Sequence, residues 1–218
     1  MADFFDLRAA GYEEHMREEL ESFDAFYAAI GRAIPATKES MEILDLGIGT
    51  GLEVPGILDR VPNAAITGFD VSARMLELLQ AKFVSSGSKI RTIQASFLDA
   101  DLGQGAYDAV VSSMALHHWL QDRKLSIYRK IYAALRAGGM FVNGDYIDND
   151  SSREPLPTFP GARGEMGAGK GSESGDGLVH IDHPLSVDEE LALLAESGFR
   201  AAKVVFQTKR AAILVAHR

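Results

Sequence analysis

Three glycines at alternate positions form the motif with the clearest chemical meaning in this sequence. Gly47, Gly49 and Gly51 follow the apolar run from Ile43 to Leu46, which contains one acidic residue, Asp45. Because glycine has no Cβ atom, such a turn lets a ligand approach the backbone and accepts the positive φ angles of a tight strand-to-helix connection. Turns that bind dinucleotides more often have the spacing Gly-x-Gly-x-x-Gly. The motif predicts a cradle for a nucleotide-type cofactor, with a purely structural turn as the alternative.

Other polar residues follow the ends of the predicted strands. Asp70 ends the second strand, nineteen residues after Gly51, where a carboxylate can accept hydrogen bonds from both hydroxyl groups of a ribose. Ser96 and Phe97 follow the third strand, and the segment 112–114 ends the fourth. Because ligands of open α/β folds bind at the carboxyl ends of the strands, we expect these residues to share one site.

Two adjacent histidines follow the fourth strand. The ordinary pKa of histidine, about 6.5, suits a group that accepts a proton near neutral pH, so His117 is a candidate catalytic base. For His118, packing beside Trp119 at the start of a helix is the favoured alternative. Asp145 and Tyr146 follow the fifth strand, and we predict Tyr146 as a second candidate catalytic residue at the same sheet edge.

Two further groups of residues could belong to a site. Tyr12 and His15 are candidates for closing over a ligand, with ordinary packing as the alternative. The cluster His180, Asp182 and His183 could imitate a set of metal ligands, but no further histidine or cysteine accompanies it in a recognisable spacing. We therefore predict no metal site.

Short apolar runs alternate with helical patterns from Met41 onward, which predicts right-handed crossovers and a largely parallel sheet. The last two runs are separated by too few residues for a crossover helix, so they predict an antiparallel hairpin. The expected fold class is α/β, with a Rossmann-like, doubly wound, mostly parallel seven-stranded sheet and a C-terminal antiparallel hairpin. The predicted strands are 41–46, 65–69, 90–94, 109–112, 139–143, 203–208 and 211–216.

Helical patterns surround these strands. Apolar residues at helical spacing from Met16 to Ile30 predict one amphipathic helix within an N-terminal helical cap over residues 1–40. Ser72 is a predicted helix cap, and the segment 186–189 has the capping-box pattern. Further helices are expected over 123–135 and from 186 to 197. The glycine-rich segment 148–180 predicts a flexible loop, and the length of 218 residues predicts a single domain over residues 1–218.

Composition excludes several classes of site and partner. The net charge of −9 and the pI near 5.1 oppose nucleic-acid binding, and the basic residues Arg123, Lys124, Arg129 and Lys130 are interpreted as a solvated helix face. No cysteine is present, which excludes disulfides and thiolate chemistry. We find no apolar run long enough to span a bilayer and no signal-peptide pattern, so we expect a cytoplasmic protein and leave a homodimer open.

In order and spacing, these motifs resemble those of the class I S-adenosylmethionine-dependent methyltransferases, in particular the small-molecule branch with the turn Leu-Asp-Leu-Gly-x-Gly-Thr-Gly. The resemblance covers Ile43 to about Asp145 and the terminal helix and hairpin. It implies S-adenosylmethionine as the cofactor. In this comparison Asp45 would hold the cofactor's ammonium group, and Asp70 would bind its ribose. The other residues implied at the cofactor are Gly47, Gly49, Gly51, Val71, Met75, Ser96, Phe97, Ser112 and Ser113.

Three positions depart from the family pattern. Ile48 stands where many relatives carry cysteine, and Ser96 stands where relatives commonly carry aspartate, so Asp99 is an alternative contact to adenine. The loop over 148–180 replaces helices that commonly cover the substrate. The resemblance predicts in-line methyl transfer to a small-molecule acceptor. The alternatives are an NAD-dependent oxidoreductase and a catalytically inactive protein that binds the cofactor and has a regulatory role.

Overall fold

A computed structural model describes residues 1–148 and 182–218 of the chain. The predicted loop over 148–180, apart from Asp148, and the candidate residue His180 lie outside the described residues. Within the described part, no helix is both long and apolar enough to cross a bilayer. Seven helices and seven strands follow one another as α1 Ala2–Arg8, α2 Tyr12–Glu19, α3 Phe23–Ala33, β1 Glu42–Leu46, α4 Val54–Arg60, β2 Ala65–Asp70, α5 Ala73–Phe83, β3 Lys89–Gln94, β4 Tyr107–Ser113, α6 Gln121–Ala134, β5 Leu135–Tyr146, α7 Val187–Glu196, β6 Arg200–Gln207 and β7 Ala211–His217, with a short 3₁₀ turn at Ala9–Gly11.

The seven strands form one sheet in the order β3-β2-β1-β4-β5-β7-β6. The first five strands of this order pair in parallel, whereas β7 pairs antiparallel with both β5 and β6. The predicted mostly parallel sheet with a C-terminal antiparallel hairpin is therefore confirmed. The chain order reverses between β1 and β4, and this switch point creates a crevice at the carboxyl ends of the strands.

Each face of the sheet has its own apolar core, because side chains alternate along a strand. Ile43 of β1 packs on the face that carries Phe26 of α3, Ile57 of α4 and Leu79 of α5. Leu44 packs on the opposite face, which α6 and α7 cover. By the same alternation, Asp45 lies on the α3 side of the sheet, directly below the crevice.

The prediction of one N-terminal amphipathic helix from Met16 to Ile30 is wrong. Two helices, α2 and α3, occupy this region, and Ser22 between them has a left-handed φ of 61°. Leu20 has an extended backbone, so the helical hydrogen bonds cannot continue. The apolar side chains of both helices face the same core. The apolar spacing in the sequence therefore continues from α2 into α3 although the helical backbone is interrupted.

The predicted end of the helix at Leu135 is also wrong, because Leu135 begins β5 and pairs with Tyr107 of β4. The two predicted helix caps, in contrast, are confirmed. The Ser72 side chain accepts a hydrogen bond from the Met75 backbone N–H, as predicted. The capping box at Ser186 and Glu189 is present in both directions and begins α7.

Candidate active site

The glycine turn joins β1 to α4 at the switch point of the sheet. Gly47 and Gly49 have φ angles of +80° and +50°, a region that favours glycine. A Cβ atom on Gly47 would lie 2.5 Å from the Cβ of Ala115, so the turn packs directly on the segment that follows β4. A Cβ on Gly51 would crowd Phe83 and Val54 at 3.1 Å. Gly51 therefore serves packing below the turn, and Gly47 and Gly49 form its upper surface.

Asp70 fastens the end of β2 to this turn. Its Oδ2 accepts a hydrogen bond from the Gly49 backbone N–H at 2.9 Å, and its Oδ1 accepts one from the Ser72 N–H at 2.8 Å. Burial raises the pKa of Asp70, although N–H groups of Ser72, Gly49 and Val71 oppose the shift because they stabilise the carboxylate. The carboxylate is thus oriented by the backbone around it.

A cavity lies at the glycine turn and is lined by residues between Met1 and Trp119. The lining residues are Met1, Phe5, Tyr12, Gly47, Gly49, Asp70, Val71, Met75, Ser96, Phe97, Met114, Ala115, His118 and Trp119. The cavity therefore combines apolar walls with one carboxylate and one imidazole.

The structure brings together most, though not all, of the residues that the sequence singled out. Among the predicted cofactor residues, Asp45, Gly51, Ser112 and Ser113 do not line the cavity but lie behind its wall. The Ser112 hydroxyl donates to the Leu46 carbonyl at 2.8 Å and so joins β4 to β1. His15 and the exposed Asp99 are also absent from the lining.

The N-terminal segment covers part of the cavity, and sequence reasoning missed most of it. Phe5 lines the cavity and lies 5.7 Å from the ring of His118. Asp6 anchors the segment, because its Oδ1 accepts hydrogen bonds from the Ser72 hydroxyl at 2.5 Å and from the Arg74 N–H at 3.1 Å. Of the lining residues in this segment, only Tyr12 was a candidate from the sequence. An aromatic pair at the start of a helix is a weak signal for a cover over a site.

The loop after β3 is held by Lys130, which the sequence placed on a solvated face. The Lys130 ammonium donates to the carbonyl oxygens of Phe97, Leu98 and Ala100 at 2.7 to 2.9 Å. Lys124 departs from that interpretation as well, because it is fully buried and pairs with Glu190 at 2.6 Å. The interpretation of these two lysines as solvated charges is therefore wrong, since each has acceptors from distant parts of the chain.

Asp45 lies under the glycine turn beside a second acidic residue, Glu53. Both side chains are buried, with 0% and 1% of their surface exposed. Neither oxygen of Asp45 has a hydrogen-bonding donor, whereas Oε2 of Glu53 accepts from the Ser113 hydroxyl at 2.7 Å. Burial raises the pKa of both carboxyl groups, and for Asp45 the adjacent Glu53 raises it further. Sequence reasoning missed Glu53, because a glutamate at a helix start normally indicates only a cap.

His117 lies next to the cavity but is not among its lining residues. Its ring is 3% exposed and its Nδ1 makes a short hydrogen bond to Asp145, while its Nε2 lies 3.7 Å from Asp182. Burial alone would lower the pKa of His117, but the charges of Asp145 and Asp182 outweigh it and the pKa is raised. Burial likewise acts to raise the pKa of Asp145, yet contact with His117 leaves it lowered.

His118 and Tyr146 flank this pair. His118 lines the cavity and its Nδ1 lies 2.8 Å from Asp182. Tyr146 packs edge-on against His117 at 5.0 Å, and burial raises the pKa of its hydroxyl to about 12. At neutral pH the Tyr146 hydroxyl therefore keeps its proton and can donate a hydrogen bond.

His117, His118 and Asp182 offer ligand atoms that all lie within 4.8 Å of one another, the kind of group that can hold a metal ion. The same atoms also form histidine–carboxylate contacts, at 2.8 Å for His118 and at 3.7 Å for His117. The sequence had grouped Asp182 with His180 and His183 instead. Only the fold brings Asp182 to the two histidines after β4.

Comparison with known proteins agrees with this geometry. A family model described as a methyltransferase domain matches residues 43–139. The carboxy-S-adenosyl-L-methionine synthase of Nautilia profundicola is 21% identical over 226 residues, which cover 94% of this chain and 96% of that protein. The solved DhpI–SAM–HEP complex superposes with a TM-score of 0.75 at 17% identity, over 99% of this chain and 95% of its own.

A second solved structure, PigF with SAH, superposes with a TM-score of 0.66 at 22% identity. The match covers 96% of this chain, but the chain spans little more than half, 58%, of the length of PigF. These structural likenesses establish the shared fold. The part of PigF that lies outside the match has no counterpart in this comparison.

Proposed function

We propose that the chain belongs to the class I S-adenosylmethionine-dependent methyltransferases, as the methyltransferase-domain match over residues 43–139 indicates, and that it transfers the methyl group of S-adenosylmethionine to a small-molecule acceptor. The observation that carries this proposal is the cavity at the switch point. There Gly47 and Gly49 present bare backbone beside the oriented carboxylate of Asp70, and the apolar side chains of Val71 and Met75 stand next to them.

The residues present fit the chemistry of this cofactor. Asp70 would accept hydrogen bonds from the ribose hydroxyls, and Val71, Met75 and Phe97 would enclose the adenine, with Ser96 at its edge. Asp45 is a buried carboxylate whose oxygens have no donor, and a positively charged ammonium group would satisfy it. Ser112 and Ser113 would act from behind the wall, by fixing β4 to β1 and by orienting Glu53.

When bound, S-adenosylmethionine would supply an electrophilic methyl group together with its own leaving group. The protein would then have to position the acceptor in line and exclude water. Phe5, Trp119 and Met114 line the cavity with apolar surface and would exclude water from the acceptor. Few other side chains are obligatory for such a transfer.

His117 is the proposed base for an acceptor that must lose a proton. Asp145 would hold the imidazole in one orientation and stabilise the charged ring after proton transfer. His118 lines the cavity and would contact the acceptor directly. Tyr146 would donate a hydrogen bond from its protonated hydroxyl, because a pKa of about 12 excludes its use as a base near neutral pH.

The charges around the cavity support a neutral or cationic acceptor. Among the described residues that line it, none is lysine or arginine, so an anionic group would meet no ammonium or guanidinium group among them. This observation favours methyl transfer over formation of a carboxylated cofactor, the reaction that the name of the Nautilia profundicola relative indicates. Location in the cytoplasm and assembly as a homodimer remain predictions from the sequence.

Binding of S-adenosylhomocysteine and of NAD, measured by calorimetry, tests the cofactor. We expect binding of S-adenosylhomocysteine alone. Asp70→Ala should weaken it roughly tenfold to a hundredfold, because hydrogen bonds to charged groups contribute about 1.5–3 kcal/mol. Asp59→Ala is the matched control, since Asp59 of α4 is exposed and outside the cavity. Binding of NAD alone would establish the oxidoreductase alternative.

A panel of hydroxyl, amine and thiol acceptors with labelled S-adenosylmethionine tests catalysis. Methyl transfer to any of them supports the proposal. Tight binding of S-adenosylmethionine without transfer to any acceptor of the panel would favour the inactive, regulatory alternative.

A further inference from the structure

The strongest unexplained feature of the site is the pair of buried carboxyl groups of Asp45 and Glu53. They lie within hydrogen-bonding reach of each other, and three of their four oxygens have no hydrogen-bonding donor in the structure. A buried carboxylate without a donor costs several kcal/mol. The pair therefore needs either a proton or a cation to be stable.

Among the residues that the structure describes, no cation contacts the pair directly. Ser113 of β4 donates one hydrogen bond to Glu53. Asp70 at the end of β2 adds negative charge near Asp45, and Tyr12 and Tyr27 from α2 and α3 face Glu53 with neutral hydroxyl groups. Lys82 of α5 acts on Glu53 from a distance, because its ammonium is bound to Glu13 at 2.8 Å.

Two carboxylates in contact in such a site cannot both ionise, since each charge raises the pKa of the other group. Burial and this mutual contact raise the pKa of both Asp45 and Glu53. One proton shared between the two groups would remove this repulsion in the protein without ligand. A cation that enters between them would replace that proton.

We propose that Glu53 shares with Asp45 the binding of the ammonium group at the methionine end of the cofactor, and that the pair releases one proton to solvent as this group binds. The inference rests on the proposed function. The charges balance, because the pair changes from one negative charge to two while the ligand brings one positive charge. Glu53 thus becomes a specificity-determining residue for ligands that carry the amino-acid part.

Proton release can be measured by calorimetry at pH 7 in several buffers of different ionisation enthalpy. The probe is S-adenosylhomocysteine, and the comparison ligand is 5′-methylthioadenosine, which lacks the amino-acid part. We expect close to one proton released with S-adenosylhomocysteine and none with 5′-methylthioadenosine. Because binding releases a proton, the affinity for S-adenosylhomocysteine should rise with pH, by up to about tenfold per unit below the pKa of the pair.

Glu53→Gln removes the shared proton while it keeps the size of the side chain. We expect this variant to bind S-adenosylhomocysteine at least about tenfold more weakly, with little proton release, and to bind 5′-methylthioadenosine as the wild type does. Glu42→Gln is the matched control, because Glu42 is exposed at the start of β1. It should behave as the wild type.

Equal proton release by the two ligands in the wild-type protein would overturn the inference, and so would unchanged affinity and proton release in Glu53→Gln. The wild-type measurement decides the matter even if the variant does not fold. Failure of the proposed function has a different signature, since wild-type protein would then bind neither S-adenosylhomocysteine nor 5′-methylthioadenosine.

Discussion

His117 is placed between two carboxylates by parts of the chain that are far apart in sequence. Asp145 lies near the end of β5 and Asp182 precedes α7, and both favour the charged form of the imidazole. Lys124 acts in the opposite direction on the same ring. The pKa of His117, the predicted base, is thus set by opposing charges: Asp145 and Asp182 raise it, and Lys124 lowers it.

This environment predicts the pH dependence of methyl transfer to an acceptor that must lose a proton. A raised pKa keeps His117 protonated to higher pH, and a protonated ring cannot accept a proton. We expect kcat to rise with pH through an apparent pKa above the ordinary value of about 6.5. In Asp145→Asn this apparent pKa should fall, because burial lowers the pKa of His117 and the negative charge of Asp145 no longer opposes it.

The measurement is kcat against pH for the wild type, Asp145→Asn and His118→Asn. His118→Asn is the comparison, since the Nδ1 of His118 contacts Asp182. An identical pH profile for wild type and Asp145→Asn would show that His117 is not the titrating base. The same raised pKa stabilises the fold below about pH 6.5, and this contribution is lost as the pH rises through the pKa of the folded state.

Two short segments at the proposed cofactor site, the loop after β3 and the N-terminal segment, are fixed in place by the helices α6 and α5. The loop that contains Ser96 and Phe97 is fixed by Lys130 of α6 through three carbonyl groups. The N-terminal cover is fixed to α5 through Asp6. In both cases one charged side chain ties the segment to a neighbouring helix.

Lys130→Met should therefore weaken binding of S-adenosylhomocysteine by roughly 3- to 30-fold without loss of the fold, because the hydrogen bonds lost contribute on the order of 1 kcal/mol each. Calorimetry measures the affinity and circular dichroism checks the fold. Arg129→Met on the same helix is the control, because the Arg129–Glu196 ion pair is exposed. Equal affinities for the two variants would show that Lys130 does not hold the loop in its binding position.

At the scale of the molecule, a buried ionic cluster joins two helices that are far apart in sequence, α6 and α7. The Lys124 ammonium donates to Glu190 at 2.6 Å, and the hydroxyl of Tyr128 makes a short hydrogen bond to the same carboxylate. Both charged side chains are fully or nearly fully buried. Loss of one partner would leave the other charge buried and unpaired.

Lys124→Met should lower the free energy of unfolding by about 3–5 kcal/mol, the range for a broken buried pair. The double variant Lys124→Met with Glu190→Gln should be less destabilised than the single one, since no unpaired carboxylate remains. Urea unfolding measures both, and Arg129→Met should change the free energy by less than about 1 kcal/mol as a surface pair. A double variant no more stable than the single one would contradict this account.

The sequence by itself determined the features that depend on neighbouring residues. Strand and helix periodicity, the glycine turn after β1, the cap at Ser72 and the acidic residue at the end of β2 are local patterns, so the sheet and the floor of the site were predictable. The break at Ser22 was not, because the apolar periodicity continues through it while the backbone does not.

Tertiary structure decided what depends on contacts between distant segments. It placed Glu53 beside Asp45, brought Asp182 to the two histidines, and turned Lys124 and Lys130 from apparent surface charges into partners of Glu190 and of the loop after β3. A charged residue in a helix has the same local pattern whether it faces solvent or a buried acceptor. Only the packing of the elements supplies that acceptor.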